Sequence, residues 1–126
     1  MAKIPFSLVS PERELFSGEA DSVLVPGTEG QFEVQAGHSP LMSTLSPGML
    51  EVRDGGNTRK IYVRGGFADV SANGLTVLAE SATPEEELRG ETLKAQRAEA
   101  EAALAAGPSP EEALDAQRAK DALSTY

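Results

Sequence analysis

The chain has no cysteine and no tryptophan, one histidine, and only four Phe and two Tyr in 126 residues. Without cysteine there are no disulfides, no thiolate nucleophile and no sulfur ligand for zinc. With one histidine, His38, a zinc site lacks its partners, and the sequence sets no convergent polar groups around it of the kind a catalytic triad needs. So few aromatics argue against a carbohydrate-stacking platform. No stretch reaches the roughly 20 apolar residues that span a bilayer. The opening residues Met1-Ala2-Lys3-Ile4-Pro5 carry neither the long apolar run nor the cleavage site of a signal peptide. These absences predict a soluble chain that meets a membrane only through partners. Positive charge is scarce too: 11 Lys and Arg face 20 Asp and Glu, a net charge of −9. That balance argues against nucleic acid or an anionic lipid surface as a partner.

What is present falls into two parts. Residues 1–82 hold six basic and ten acidic residues, and residues 83–126 hold five and ten, so acidity is denser in the second part. The first reads as β structure. Short candidate strands at 4–10, 19–25, 31–35, 48–54, 59–63, 67–71 and 74–79 are bounded by Gly, Pro, Asn or Asp. Asp54-Gly55-Gly56-Asn57 predicts a hairpin turn, and Ala72-Asn73-Gly74 predicts another, of type I′. No crossover helix fits before residue 83, which excludes a parallel sheet and leaves a sandwich or flattened barrel.

From residue 83 the composition shifts to Ala, Glu, Leu, Lys and Arg. Thr83-Pro84-Glu85-Glu86 and Ser109-Pro110-Glu111-Glu112 both have the form of a helix start: a hydroxyl N-cap, Pro in the first turn and a reciprocal Glu. Ala106-Gly107-Pro108 is a stop between them. Gly90 weakens the first helix by roughly 1 kcal/mol relative to Ala, so its stable part should begin near Glu91. Leu93, Ala100 and Leu104 share one face, and Ala116, Ala119 and Leu123 another. This apolar stripe is thin, which predicts a helical hairpin weakly docked on the β part. The fold class expected is therefore α+β: an N-terminal antiparallel β-sandwich (1–82) followed by a C-terminal α-helical hairpin (83–126).

The most informative stretch is Val25-Pro26-Gly27-Thr28-Glu29-Gly30-Gln31-Phe32, followed by Gly37-His38-Ser39-Pro40-Leu41. It predicts two strands around a tight turn with polar residues at its tip, where Gly27 and Gly30 can take positive φ at little steric cost. These residues resemble the signature loops of the epsilon subunit of the bacterial F-type ATP synthase. Phe6-Ser7-Leu8-Val9-Ser10-Pro11-Glu12, Leu15-Phe16-Ser17-Gly18-Glu19-Ala20, Leu45-Ser46-Pro47-Gly48-Met49-Leu50 and Val63-Arg64-Gly65-Gly66-Phe67-Ala68-Asp69-Val70 follow in the same order.

The resemblance implies a non-catalytic rotor subunit of the central stalk, without cofactor or metal, coupling rotation of the membrane-embedded c ring through the gamma subunit to ATP synthesis. It implies a peripheral location on the cytoplasmic face of the bacterial inner membrane. Glu29, Gly30, Gln31 and Phe32 would face the c ring. His38, Ser39, Pro40, Leu41 and Met42 would face gamma or the ring. Gln31 departs from the acid common in relatives, exchanging a charge-assisted contact for a weaker neutral one; Glu29 is placed to supply the charge.

In some relatives the hairpin extends along gamma to the alpha and beta subunits and blocks hydrolysis through basic residues. Here residues 109–126 carry Arg118 and Lys120 against four acids, which predicts weak inhibition at most, and little change in hydrolysis on removing residues 84–126. Some relatives also bind ATP through a Leu/Ile-Asp-x-x-Arg-Ala segment in the first helix. Leu114-Asp115-Ala116-Gln117-Arg118-Ala119 spells that pattern in the second helix, while the first has Lys94 where the acid belongs. Asp115 and Arg118 are thus weak nucleotide-binding candidates, expected to be plain surface residues. Two other classes compete: a stand-alone ligand-binding β-sandwich with a helical tail, and a hydrolase using His38 with carboxylates.

Overall fold

The computed structural model describes residues 3–37, 39–107 and 109–124. Eight strands come first: β1 (Ile4–Val9), β2 (Glu14–Ala20), β3 (Ser22–Gly27), β4 (Gly30–Val34), β5 (Leu41–Thr44), β6 (Gly48–Asp54), β7 (Asn57–Ser71) and β8 (Gly74–Pro84). A short 3-10 turn at Glu85–Glu87 leads to two helices, α1 (Gly90–Ala105) and α2 (Pro110–Leu123). The hydrogen-bonded order is β2-β1-β8-β7-β6-β3-β4, with β5 added beside β7. All pairings are antiparallel except β1 with β8. That parallel pair needs no crossover helix, because the rest of the sandwich supplies the long connection between its strands.

Two long strands make the sandwich. Residues 57–63 of β7 pair with β6, while residues 67–70 pair with β5. β8 follows β7 through both stretches. The two strands thus pass from one layer to the other, and the corner falls at Gly65 and Gly66. At Gly66, φ is +103°, and a Cβ would overlap the carbonyl oxygen of Leu78 on β8. This backbone contact explains why the segment reads as two strands, 59–63 and 67–71, yet is one bent strand. Alternation places Phe6 and Leu8 of β1, Val23 and Val25 of β3, and Ile61 and Val63 of β7 in one buried core.

Other expectations are corrected. The 19–25 segment is the end of β2 and most of β3, parted at Asp21. There the chain changes partner from β1 to β6, with the Asp21 amide donating to the Arg53 carbonyl at 2.8 Å. Unbroken alternation cannot reveal such a corner. β5 arises where a loop was expected. No non-glycine residue among those described has positive φ, so the turn at Ala72-Asn73 is not type I′; Ser71 Oγ instead accepts from the Asn73 amide at 3.2 Å. Thr83 and Pro84 do not start a helix. They pair with Tyr62 and Ile61 as the end of β8, because burial against β7 outweighs the capping signal.

The helix starting near Glu91 and the capping box at Ser109 and Glu112 are both found. The hairpin lies on the outer face of β6 and β7. Tyr62 alternates away from the core, is 1% exposed, and clusters with Leu88, Ala100, Ala119 and Leu123, flanked by Met49, Leu93 and Ala122. Leu104 is only half-buried. Full burial of Leu123 contributes about 2 kcal/mol, the alanines much less. Polar ties add to this: Arg64 pairs with Glu99, and Arg97 donates to the Leu123 carbonyl at 2.9 Å.

Candidate functional site

The β3–β4 turn is a tight hairpin. Val25 pairs with Phe32, Pro26 with Gln31 and Gly27 with Gly30, which leaves Thr28 and Glu29 at the tip. Glu29, Gly30 and Gln31 are exposed, and Phe32 is half-buried against the core. Gly30 has φ +125° as expected, but Gly27 does not take positive φ. Its glycine is demanded by space instead: a Cβ there would lie 2.9 Å from both the Gly30 carbonyl oxygen and the Phe32 ring.

The tip is stitched to β5. The Thr28 amide donates to the Thr44 carbonyl at 3.0 Å, and the two threonine hydroxyls share a hydrogen bond of 2.8 Å. The Ser46 amide donates to the Pro26 carbonyl at 2.9 Å. β5 therefore carries both candidate surfaces, the polar tip at one end and Leu41 and Met42 at the other. Ser39 and Pro40 are exposed beside them. His38 lies outside the described residues.

An apolar patch continues from β5. Thr44 pairs with Phe67, and Phe67 with Leu78, so these share the outward face, as does Met42 two positions from Thr44. Met42 is 66% exposed, Leu78 41% and Phe67 37%. Phe67 and Leu78 were missed by sequence reasoning. The signal was available: each is a large apolar residue on the outward phase of a strand whose inward residues, Ala68, Val70, Val77 and Ala79, are already apolar. Leu41 lies on the opposite, inward phase, at the open end of the sandwich.

Asp115 is an exposed helix residue, as expected, whereas Arg118 is half-buried and engaged. Asp115 lines a groove of about 410 Å³ between hairpin and sandwich, shared with Glu80, Glu99 and Glu112. The groove's one described cation, Arg64, is already paired with Glu99. Four carboxylates around one neutralised arginine repel a polyphosphate. Arg118 does not line that groove; it is half-buried and donates from Nη1 to the Thr28 carbonyl at 3.2 Å. No described helix is long and apolar enough to cross a membrane.

Known proteins of this shape agree with the sequence. The family described as "ATP synthase, Delta/Epsilon chain, beta-sandwich domain" matches residues 3–85. An ATP synthase epsilon chain of Nitrobacter winogradskyi is 46% identical over 126 residues, covering 100% of this chain and 90% of that one. Another, from Caulobacter vibrioides, is 58% identical over 82 residues, which are 65% of this chain and 95% of that one. The second relative is thus little longer than the matched stretch and has no room for both a sandwich and a hairpin of these sizes. Among solved structures, a chain in the Euglena gracilis mitochondrial ATP synthase (OSCP/F1/c-ring) superposes with a TM-score of 0.73 at 27% identity, covering 98% of this chain and 79% of that chain. One in the central stalk and c-ring of the Tetrahymena thermophila enzyme shares the fold, with a TM-score of 0.59 at 19% identity over 71% of this chain and 72% of that one. With a family match across residues 3–85, well over half of its length, and a relative aligned along the whole of it, the chain belongs to the epsilon chain family of the ATP synthases.

Proposed function

We propose that this chain works as the non-catalytic central-stalk subunit of a proton-translocating ATP synthase, held between the gamma subunit and the c ring. It acts by contact alone, transmitting torque through a stiff sandwich. The observation that carries the assignment of surfaces is the joint on β5: one strand stitches the polar tip and bears the start of the exposed apolar patch. The tip, Glu29 to Phe32, suits the polar loops of a c ring. The patch of Met42, Phe67 and Leu78, with Ser39 and Pro40 preceding it in the chain and Leu41 exposed at the open end of the sandwich, suits a largely apolar partner such as gamma. Two partners held by one strand that is bonded both to the tip and to β7 are mechanically linked, which is what coupling requires. The sandwich, residues 1–82, would be the coupling unit and the hairpin, residues 83–126, a separable appendage. The bacterial relatives support a place on the cytoplasmic face of the inner membrane, peripheral and held by partners.

The family match over the sandwich favours this role over a stand-alone ligand-binding one, and the acidic groove beneath the hairpin disfavours anionic ligands such as ATP. Deleting Pro26–Phe32 would remove paired strand residues, so point changes give the cleaner test. Glu29→Lys should lower proton-driven ATP synthesis several-fold while leaving gamma recovery intact. Met42→Glu should reduce co-purification of gamma by about tenfold, the cost of burying one charge against an apolar partner. Normal synthesis in the first and full recovery in the second would defeat the assignment of surfaces.

A further inference from the structure

Thr28 is where three parts of the molecule meet. Its amide and hydroxyl bind Thr44 of β5 at 3.0 and 2.8 Å. Its carbonyl accepts from Arg118 of α2, which stands 90 residues away in sequence. Other polar ties of residues 83–126 to the sandwich, among the described residues, lie elsewhere: Arg64 reaches Glu99 and Gln96 of α1, and Arg13 pairs with Glu87. Arg118 alone among the described residues joins a helix to the tip by a hydrogen bond. The adjoining groove is lined by Pro26, Gly27 and Gln31 from the turn and by Arg118, Asp121 and Ala122 from α2. A guanidinium on a long stem spans this gap, keeps its charge at every physiological pH, and bonds a carbonyl more strongly than a neutral donor would.

We infer that Arg118 is a latch between the hairpin and the tip, so that docking of α2 and the conformation of residues 28–31 form one coupled equilibrium. The ring-facing part of this inference rests on the function proposed above. Coupling of this kind is reciprocal. A c ring that receives the tip in the form seen here holds the hairpin docked. Release of the hairpin frees the Thr28 carbonyl and weakens the ring's grip by the same factor. The arginine of the Leu-Asp-x-x-Arg-Ala pattern thereby serves an internal carbonyl in place of a nucleotide.

Amide hydrogen exchange on the full chain tests the latch. Arg118→Gln should speed exchange at Thr28, Glu29 and Gln31 and along α2 on the order of tenfold, as expected for loss of one charge-assisted hydrogen bond. Core amides of β1, β3 and β7 should be unchanged, which separates a latch from general destabilisation. Arg118→Lys, which keeps a cationic donor, should recover part of the protection. Arg97→Gln, which cuts the bond to the Leu123 carbonyl and does not touch the tip, should loosen α2 and through it the tip. Exchange at residues 28–31 unchanged in Arg118→Gln overturns the latch. The second arm measures binding to a purified complex of gamma and the c ring. Weaker binding by Arg118→Gln than by the original chain supports the coupling, and equal binding overturns its ring-facing part. A complete failure of the original chain to bind refutes the function reading instead, while the exchange result still judges the latch.

Discussion

Replacing Gly66 by alanine should cost far more than its one methyl group suggests. Two costs add. The backbone stands at φ +103°, a region that L-residues occupy only under strain of about 1–3 kcal/mol. The new Cβ would also overlap the Leu78 carbonyl oxygen and approach Ala79 Cα to 2.8 Å. Both are backbone atoms of a paired strand, so no rotamer change relieves the clash. β8 must move, at a further cost of about 1–3 kcal/mol typical of overpacking. The sum is roughly 2–6 kcal/mol, centred near 4, a large share of the 5–15 kcal/mol that a domain commonly has. For a chain of this size that lowers the melting temperature by roughly 15 °C. Two neighbours serve as controls. At Gly65 the atoms nearest a Cβ belong to the Glu80 side chain, which can swing away, and at Gly55 (φ +57°) a Cβ meets nothing within 4 Å. Both should cost about 1–2 kcal/mol, the left-handed penalty alone. Urea unfolding with an unchanged m-value would give the three numbers. If Gly66→Ala falls within about 1 kcal/mol of Gly55→Ala, the β7 corner does not depend on close backbone approach and the reasoning fails.

The Tyr62 hydroxyl is buried beneath the hairpin with no hydrogen-bond partner among the described residues. Tyr62→Phe should therefore raise stability by about 1 kcal/mol, read in the same urea experiment. Burial pushes the Tyr62 phenol from its ordinary 10.0 up to about 12, with Arg64 pulling it down and Glu99 pushing it up. Unfolding releases this proton above pH 10, so the contribution is intact below pH 10 and is lost as pH rises toward 12. Tyr62→Phe should show a shallower loss of stability over that interval, and identical slopes would contradict it. Calorimetric titration with ATP should detect no micromolar binding, because the groove beside Asp115 is acidic. Ending the chain after Leu88, which keeps β8 whole, should change ATP hydrolysis by less than twofold in the assembled enzyme. A several-fold rise would show that the acidic hairpin inhibits after all.

Much was legible in the sequence because it depends on neighbours in the chain. Alternating Val, Ile and Leu specify strands, and Ser109-Pro110-Glu111-Glu112 specifies a capped helix start through contacts three residues apart. The tip at Thr28 and Glu29 follows from turn chemistry, and the order of loops led to the family before any geometry was known. What was missed depends on residues far apart in sequence. Thr83-Pro84 has the chemistry of a helix start and becomes strand because Ile61 and Tyr62 offer it a ladder. The corner at Asp21 and the bend at Gly66 exist only because two layers must close around one core. Met42, Phe67 and Leu78 become one patch only when β5, β7 and β8 lie side by side. Arg118 looks like a solvated helix residue until α2 packs against the sandwich and brings it to the Thr28 carbonyl. By itself the sequence determined the capped second helix, the alternating strand segments and the polar tip, since each follows from local spacing, and its ordered loops carried the resemblance to the family. Only the tertiary structure decided which faces stay exposed and which part of the hairpin touches the tip, since those depend on how the layers pack.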